Sequence, residues 1–336
     1  MMLRHRFIRS WYAPTPSFWN YLLLPLTLIF SVVVVLRRGI FQRFYRLAHR
    51  EPVPIVVVGN LTVGGTGKTP LVIFLANYLR KQGYRPGIVS RGYKSSNRFC
   101  QEVLDNSDPT LVGDEPVVIA RQTGVPIVVC KNRMSAVHRL FTQHRCNVIL
   151  SDDGLQHYAM PHDIEVLVVD GIRRFGNQWC LPAGPLREPL QRLRDVDFIV
   201  CNSGEPLEGE YRMQVEGHTA INLVTGERQD LSYFADKQVH AVAGIGHPGR
   251  FFSLLKQCSI DFIPHAFNDH HQYQAIELTF KEALPIVMTE KDAVKCMAFA
   301  SKDMWMIPIT AKISEPFVTD FMRVLTEVSH QLGKRL

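Results

Sequence analysis

The chain has 336 residues, 46% hydrophobic and 21% charged, enough apolar material for one large or two ordinary cores and too much for a disordered chain. A net charge of +7 and a pI near 9.1 point to anionic partners, whether nucleic acid, a phosphate-bearing substrate or an acidic membrane surface. The seven cysteines (Cys100, Cys130, Cys146, Cys180, Cys201, Cys258, Cys296) are scattered and form no C-x-x-C pair. They predict a reduced, cytosolic chain without a structural zinc site, with Cys130 and Cys201, which end apolar runs, as buried small residues.

Phe18 to Leu36 contains no charged residue and as a helix would measure about 28 Å, close to the hydrocarbon thickness of a bilayer. The run is long for a signal peptide and no small-x-small cleavage site follows it. Arg37, Arg38, Arg43, Arg46 and Arg50 come after it, which predicts that the next domain lies on the cytoplasmic side. Arg4, Arg6 and Arg9 on the other flank, and Pro25 inside the run, speak instead for a helix lying in the interface, with Trp11, Tyr12, Trp19 and Tyr21 at headgroup level. The bland alternative is a buried core helix. Residues 1–50 are expected to be a membrane-associated segment, spanning or interfacial.

The next stretch is the most informative. A short β-branched run, Ile55 to Val58, ends in Gly59-Asn60, passes through Thr62-Val63-Gly64-Gly65-Thr66-Gly67-Lys68-Thr69 and enters a helical pattern at Pro70. Strand, Gly-rich loop and helix in this order make a phosphate-binding loop: backbone N–H groups turn toward an anion, Lys68 reaches the β- and γ-phosphates, and the Thr69 hydroxyl can hold Mg²⁺. Thr62 stands where the first glycine of G-x-x-x-x-G-K-[ST] belongs. The loop is closer to the deviant G-G-x-G-K-T form, without the extra lysine that form often carries. A Gly-rich turn that binds nothing is the alternative.

Leu71 to Gln82 reads as a helix closed by Gly83, and Pro86 to Ser90 as a second strand running into Arg91-Gly92-Tyr93-Lys94. Loops at the carboxyl ends of strands bind ligands in doubly wound sheets, so Arg91, Tyr93 and Lys94 are candidates for an anionic substrate, against ordinary surface charge. Asp114, in Gly113-Asp114-Glu115-Pro116, stands where a helix N-cap would, and capping is its default role. Val125 to Cys130 predicts a strand, Met134 to His144 a helix, and Asn147 to Leu150 a strand entering Ser151-Asp152-Asp153-Gly154. An apolar strand ending in Asp-Asp is the expected place for the Mg²⁺-linked carboxylate of a phosphate-loop protein; an Asx-turn is the plain alternative.

Ile164 to Val169 and Phe198 to Cys201 continue a series that predicts a parallel sheet. The Pro- and Gly-rich Leu181 to Pro189 between them is a shaped loop carrying Arg187 and Glu188. From Tyr211 the pattern turns to short alternating runs that predict a hairpin, so a hinge or linker is expected over 211–235. It separates a phosphate-loop domain over 51–210 from a smaller α/β domain over 236–336, with strands at Gln238 to Ala243, Ile286 to Met288 and Met304 to Ile307. Gly244-Ile245-Gly246-His247-Pro248-Gly249 is a weak G-x-G-x-x-G match, and Pro248 argues against dinucleotide binding. Thr289-Glu290-Lys291-Asp292 lacks the N-K-x-D order and carries no base preference.

Taken in order, GNLTVGGTGKTP, SRGYK, GDEP, SDDGLQH, LPAGPLREP, FNDHHQY and TEKD make the chain resemble the tetraacyldisaccharide 4′-kinase family of lipid A biosynthesis from Gly59 to Asp292. The apolar N-terminal segment resembles that family's membrane helix. The resemblance implies an α/β phosphate-loop kinase with a second, smaller α/β domain joined by a two-stranded hinge. The implied reaction moves the γ-phosphoryl of ATP, with Mg²⁺, to the 4′-hydroxyl of a lipid A disaccharide precursor at the cytoplasmic face of a bacterial inner membrane, with no nucleic acid partner. It implies Asp114 and His270 as a catalytic dyad acting with Lys68, and 62–69 as the ATP loop. It also implies Thr69, Asp152 and Asp153 on the metal side, and Asn60, Arg91, Tyr93, Arg187 and Glu188 as the substrate set. His270 is the expected partner because it directly follows Asp269, with adjacent His271 the alternative. The rival functions are a membrane-associated phosphate-loop ATPase or GTPase switch that phosphorylates no lipid, and a binding protein with a degenerate nucleotide site.

Overall fold

The computed structural model describes residues 8–45, 50–92 and 99–334; Arg4, Arg6, Arg46, Tyr93 and Lys94 lie outside them. After a helical stretch at 8–10, the apolar segment forms two helices, α1 (Phe18–Leu22) and α2 (Leu24–Tyr45), where its pattern predicts one. Pro25 does not kink a continuous helix. It falls in the first turn of α2, where its missing N–H has no intrahelical partner to lose. At about 33 Å by helical rise, α2 holds the stretch Leu24–Phe41, long and apolar enough to cross a membrane. Leu26, Leu28, Ile29, Val32, Val33, Val35, Leu36 and Ile40 on it are exposed.

The other side of this helical pair is fastened to the body. Buried Asn20 donates to the Ala183 carbonyl at 2.9 Å, and the Thr27 hydroxyl bonds the Cys180 carbonyl and the Ala183 amide at 3.3 and 3.0 Å. Trp11 is not a headgroup-level residue as expected: it is buried, its carbonyl accepting from the Asn177 amide at 2.7 Å. Trp19 and Tyr21 are exposed.

The described strands form two sheets. The large one contains β1 (Ile55–Gly59), β2 (Pro86–Ser90), β3 (Gln101–Glu102), β4 (Ile127–Val129), β5 (Val148–Asp152), β6 (Ile164–Asp170), β7 (Phe198–Asn202), β8 (Glu210–Glu216) and β15 (Thr310–Ile313). Its order is β15-β8-β7-β6-β1-β5-β2-β4-β3, parallel except for the edge pairs β15 with β8 and β3 with β4. β1 lies between β5 and β6. Its five residues are all buried, which explains the unbroken apolar run: helices on both faces leave no solvent side to alternate toward.

Helices α3 (Lys68–Lys81), α5 (Asp114–Thr123) and α9 (Glu315–Gly333) cover one face through Leu71, Leu75, Val117, Phe317 and Phe321. A short α4 (Pro109–Val112) precedes α5. On the other face α6 (Arg133–Thr142) contributes Val137 and Leu140, and Phe30 of α2 packs there too.

The small sheet, β10-β9-β14-β13-β11-β12, comprises β9 (Thr219–Asn222), β10 (Arg228–Asp230), β11 (Gln238–Ala243), β12 (Asp261–Ala266), β13 (Ile286–Thr289) and β14 (Met304–Ile307). Helix α7 (Pro248–Gln257) packs on one face through Phe251 and Leu255, and α8 (Glu290–Cys296) on the other through Ala293 and Cys296.

The partition differs from the expected hinge at 211–235 and domain over 236–336. β8 belongs to the large sheet, and the hairpin is β9 with β10 inside the small one. After β14 the chain returns: β15 pairs with β8 and α9 buries its apolar stripe on the large sheet. The small domain is therefore an insertion spanning 219–307, joined by two adjacent crossings.

The cysteines also depart from expectation. β3 lies antiparallel on β4, bringing Cys100 and Cys130 to a Cα separation of 4.4 Å, and they are disulfide-bonded. Cys146, Cys180, Cys201 and Cys296 are free and buried.

Candidate active site

The phosphate loop leaves β1 at its carboxyl end and enters α3 at Lys68. Its shape is held from three sides. Asn60 Nδ2 bonds the Thr62 carbonyl at 2.7 Å, while its Oδ1 accepts from Lys68 Nζ at 3.1 Å. Asn202, at the end of β7, donates to the Thr66 carbonyl at 2.7 Å, and Arg173 donates to the Gly65 carbonyl at 3.1 Å. Gly67 has φ +98°, and a Cβ there would lie 2.3 Å from Asn202 Nδ2. Only glycine fits both the conformation and the space. The 181–189 loop lies directly on this one: the Val63 amide bonds the Pro185 carbonyl at 2.9 Å and the Arg187 amide the Leu61 carbonyl at 2.7 Å.

Asp152 ends β5, in register with Val58 of β1, and Asp153 follows with φ +48°. The two carboxylates differ sharply. Burial would raise Asp153, but Lys68 at 3.5 Å, Arg187 at 3.1 Å and Arg133 outweigh it and hold the group at about 2. Asp152 has no such cluster: burial, then Glu115 and Asp153, push it up to about 7 against the pull of Lys68.

Its Oδ1 and the Thr66 hydroxyl are buried with no hydrogen-bond partner among the described residues, so polar atoms face the loop in want of a ligand. Among the described residues no three His, Cys, Asp or Glu side chains converge on a metal position. The Thr69 hydroxyl and the two carboxylates are hard oxygen donors of the kind that Mg²⁺ takes.

Across the cleft, Asp114 is the first residue of α5, with Gly113 rather than Asp114 as the N-cap. Asp114 Oδ1 accepts from the Glu115 amide at 2.9 Å, and its Oδ2 lies 2.8 Å from His270 Nδ1 of the small domain. Burial would raise Asp114, but the His270 hydrogen bond and Lys291 hold it at about 2; the same bond lifts His270 above its ordinary value. His271 points elsewhere, bonding Glu277 at 3.0 Å and lying against the Phe267 ring.

Lys291 pairs with Glu115, and Gln122 with Glu290, so α5 is gripped at several points by the small domain. The weak G-x-G-x-x-G stretch also reaches the site. A Cβ on Gly246 would lie 3.7 Å from the Gly65 amide nitrogen and 3.2 Å from Asp269 Oδ2, and Asp269 Oδ1 is 3.8 Å from His270 Nε2. The His270 side of the cleft is thereby continuous with the phosphate loop.

A family model described as tetraacyldisaccharide-1-P 4′-kinase matches residues 19–326. The chain belongs to the tetraacyldisaccharide 4′-kinase family. A tetraacyldisaccharide 4′-kinase of Nitrosococcus oceani is 48% identical over 323 residues, covering 96% of this chain and 95% of that one. One from Shewanella amazonensis is 44% identical, covering 96% and 95%. Among solved structures, LpxK from Aquifex aeolicus in complex with ATP matches with a TM-score of 0.79 at 26% identity, over 92% of this chain and 99% of that one.

Of the expected substrate set, Arg91 is exposed at the end of β2 and Tyr93 lies outside the described residues. Arg187 reaches Asp153 and, at 3.2 Å, Gln156. Glu188 is only 1% exposed, its carboxylate bonded to Gln156 at 2.8 Å and facing Arg192 at 3.5 Å. Asn60 is likewise buried and faces the phosphate loop. Sequence reasoning did not single out Arg133, buried with bonds to the Ser151 hydroxyl and Asp153 carbonyl at 3.0 and 2.9 Å. It also missed Gln156, Asn202 and Asp170. The last two end apolar strands, the same signal that marked Arg91 and Asp152.

Proposed function

We propose that the chain transfers the γ-phosphoryl of ATP to the 4′-hydroxyl of a tetraacyldisaccharide 1-phosphate, with Asp114 as proton acceptor and His270 as its orienting partner. The observation that carries this is the carboxylate–imidazole pair assembled from two domains beside a Gly-Lys-Thr phosphate loop. The 4′-oxygen forms a bond to the γ-phosphorus, the bond from phosphorus to the β-bridging oxygen breaks, ADP leaves, and the hydroxyl proton passes to Asp114. A carboxylate held at about 2 is a weak base for a free hydroxyl. Proton transfer therefore follows phosphorus–oxygen bonding, when the hydroxyl has become acidic, as suits a loose transition state.

Lys68 neutralises phosphate charge, and Arg91 and Arg187 take the sugar and its phosphate. Asn60 and Glu188, being buried, act by holding the loop and Arg187's neighbour Gln156 in place. Mg²⁺, when held by Thr69, Asp152 and Asp153, adds charge neutralisation on the polyphosphate. The exposed apolar face of α2 lies in the inner membrane at its cytoplasmic side, so that the acyl chains stay in lipid while the sugar reaches the cleft. A switch that only hydrolyses nucleotide would also need an acceptor, for the proton of the attacking water; what favours the kinase is the family, whose named members are tetraacyldisaccharide 4′-kinases. Incubation with labelled ATP and a tetraacyldisaccharide 1-phosphate in mixed micelles should yield lipid carrying a second phosphate, one per ADP formed. ADP without phosphorylated lipid would favour the switch.

A further inference from the structure

Besides His270, the small domain brings a second charged side chain toward the phosphate loop. Arg250 is the third residue of α7, carried there by the Gly244 to His247 turn that abuts Gly65. Its Nη2 lies 2.8 Å from Asp170 Oδ2 and is buried without an aligned hydrogen bond. Asp170 ends β6, next to β1, and is 2% exposed. That carboxylate is satisfied without Arg250: Arg173 Nε donates to it at 2.6 Å, and the Ile172 and Arg173 amides each at 3.1 Å.

Arg173 in turn holds the Gly65 carbonyl. Two guanidinium groups thus share one carboxylate, leaving a surplus positive charge against a loop built to receive an anion. Burial, Arg173 and Arg250 keep His247 below its usual range, so the charge on this flank belongs to the two arginines.

We infer that Arg250 is the small domain's own phosphate contact, a guanidinium poised at Asp170 that moves onto the ATP polyphosphate, beyond the α-phosphate, as it enters the loop. Planar donors suit non-bridging phosphate oxygens, and phosphoryl transfer depends on cations where charge gathers. This rests on the kinase reading above. It adds that closure delivers an arginine as well as His270, so that neither domain alone completes the site.

The test uses full-length protein in mixed micelles, with affinities for AMP and for an ATP analogue with a methylene β–γ bridge, and kcat with lipid substrate. Arg250→Ala should weaken the analogue about tenfold or more, leave AMP unchanged and lower kcat about 10²-fold or more, with Arg250→Lys recovering part of the loss. Asp170→Asn, which leaves the guanidinium in place, should lose less. Equal weakening of AMP and analogue, or equal losses in Arg250→Ala, Asp170→Asn and their double variant, would reduce the pair to an interdomain latch and overturn the inference. Lys68→Ala separates the two levels. If it loses analogue binding while Arg250→Ala does not, this inference alone fails; if it binds and turns over normally, the phosphate-loop reading fails and takes the inference with it.

Discussion

His270 Nδ1 and Asp114 Oδ2 stand 2.8 Å apart although 156 residues separate them in sequence. The contact exists only because the small domain is seated on α5, and it ties the chemistry to domain closure. Replacing Asp114 with Ala should lower kcat about 10³-fold and replacing His270 about 10²-fold, within the range of general acid–base effects. The double variant should lose little beyond the worse single, because the two act as a unit. His271→Ala, which breaks contacts confined to the small domain, should be much milder. Steady-state kinetics with saturating ATP decide it: multiplicative losses would separate the two roles.

The same pair makes docking pH-dependent. His270 is raised above 6.5, first by its bond to Asp114 and further by Asp269 and Glu115. Its contribution is full below 6.5 and is lost as pH rises through the higher folded value. Asp114 is depressed from 3.8 to about 2, with Lys291 and Lys295 acting alongside His270, so its contribution is present above 3.8 and lost as pH falls toward 2. The Tm difference between the native chain and His270→Ala should be largest between these ordinary values and shrink on the alkaline side. Thermal unfolding from pH 4 to 9 that shows a constant difference would mean the imidazole carries no charge in the pair.

Asn20 connects the apolar N-terminus to the loop that bears Arg187. Its amide bonds the Ala183 carbonyl and its oxygen accepts from the Ser17 amide at 2.7 Å. Asn20→Ala leaves buried polar groups without partners and should cost about 1–3 kcal/mol. It should also raise the KM for the lipid more than it lowers kcat, since the 181–189 loop rests on the phosphate loop. Unaltered Tm and KM would show that the helical pair is fastened elsewhere.

Ile29 and Val33 of α2 are exposed, at 61% and 56%. Lys at either position should leave folding intact and reduce binding to phospholipid vesicles about tenfold or more, since each substitution removes apolar area and places a charge in the membrane-facing surface. Cosedimentation with neutral-lipid vesicles provides the measurement. Unchanged binding would mean that this face does not meet the membrane.

Much of the fold was legible where local chemistry decides it. β2, β11 and β14 begin and end where their apolar runs do, and the phosphate loop declares itself through Gly67, Lys68 and Thr69. What was not legible is membership. The alternating residues of β8 read as half of a hairpin, the short β15 carries no pattern that marks it as a strand, and nothing in α9's apolar stripe says which sheet it covers. Arg133 looks like surface charge on a helix and is buried only because Ser151 and the Asp153 carbonyl meet it from another element. Cys100 and Cys130 are neighbours through the pairing of β3 with β4, which their spacing does not announce. Asp170 and Asn202 could have been found by examining every strand's carboxyl end, rather than only those followed by a striking motif.

The return of the chain to the large sheet has a consequence for biosynthesis. β15 and α9 follow the inserted unit in the chain and so leave the ribosome after it, and Phe317 of α9 packs on Phe198 and Tyr211 with ring centroids 5.6 and 5.4 Å apart. Until they emerge, β8 is an open edge and this aromatic cluster is bare to solvent, both invitations to aggregation. The inserted unit over 219–307 is by then already synthesised in full. A chain that stops at Ile307 therefore has a finished lid on an unfinished base, and it is the addition of β15 and α9 that closes the large sheet.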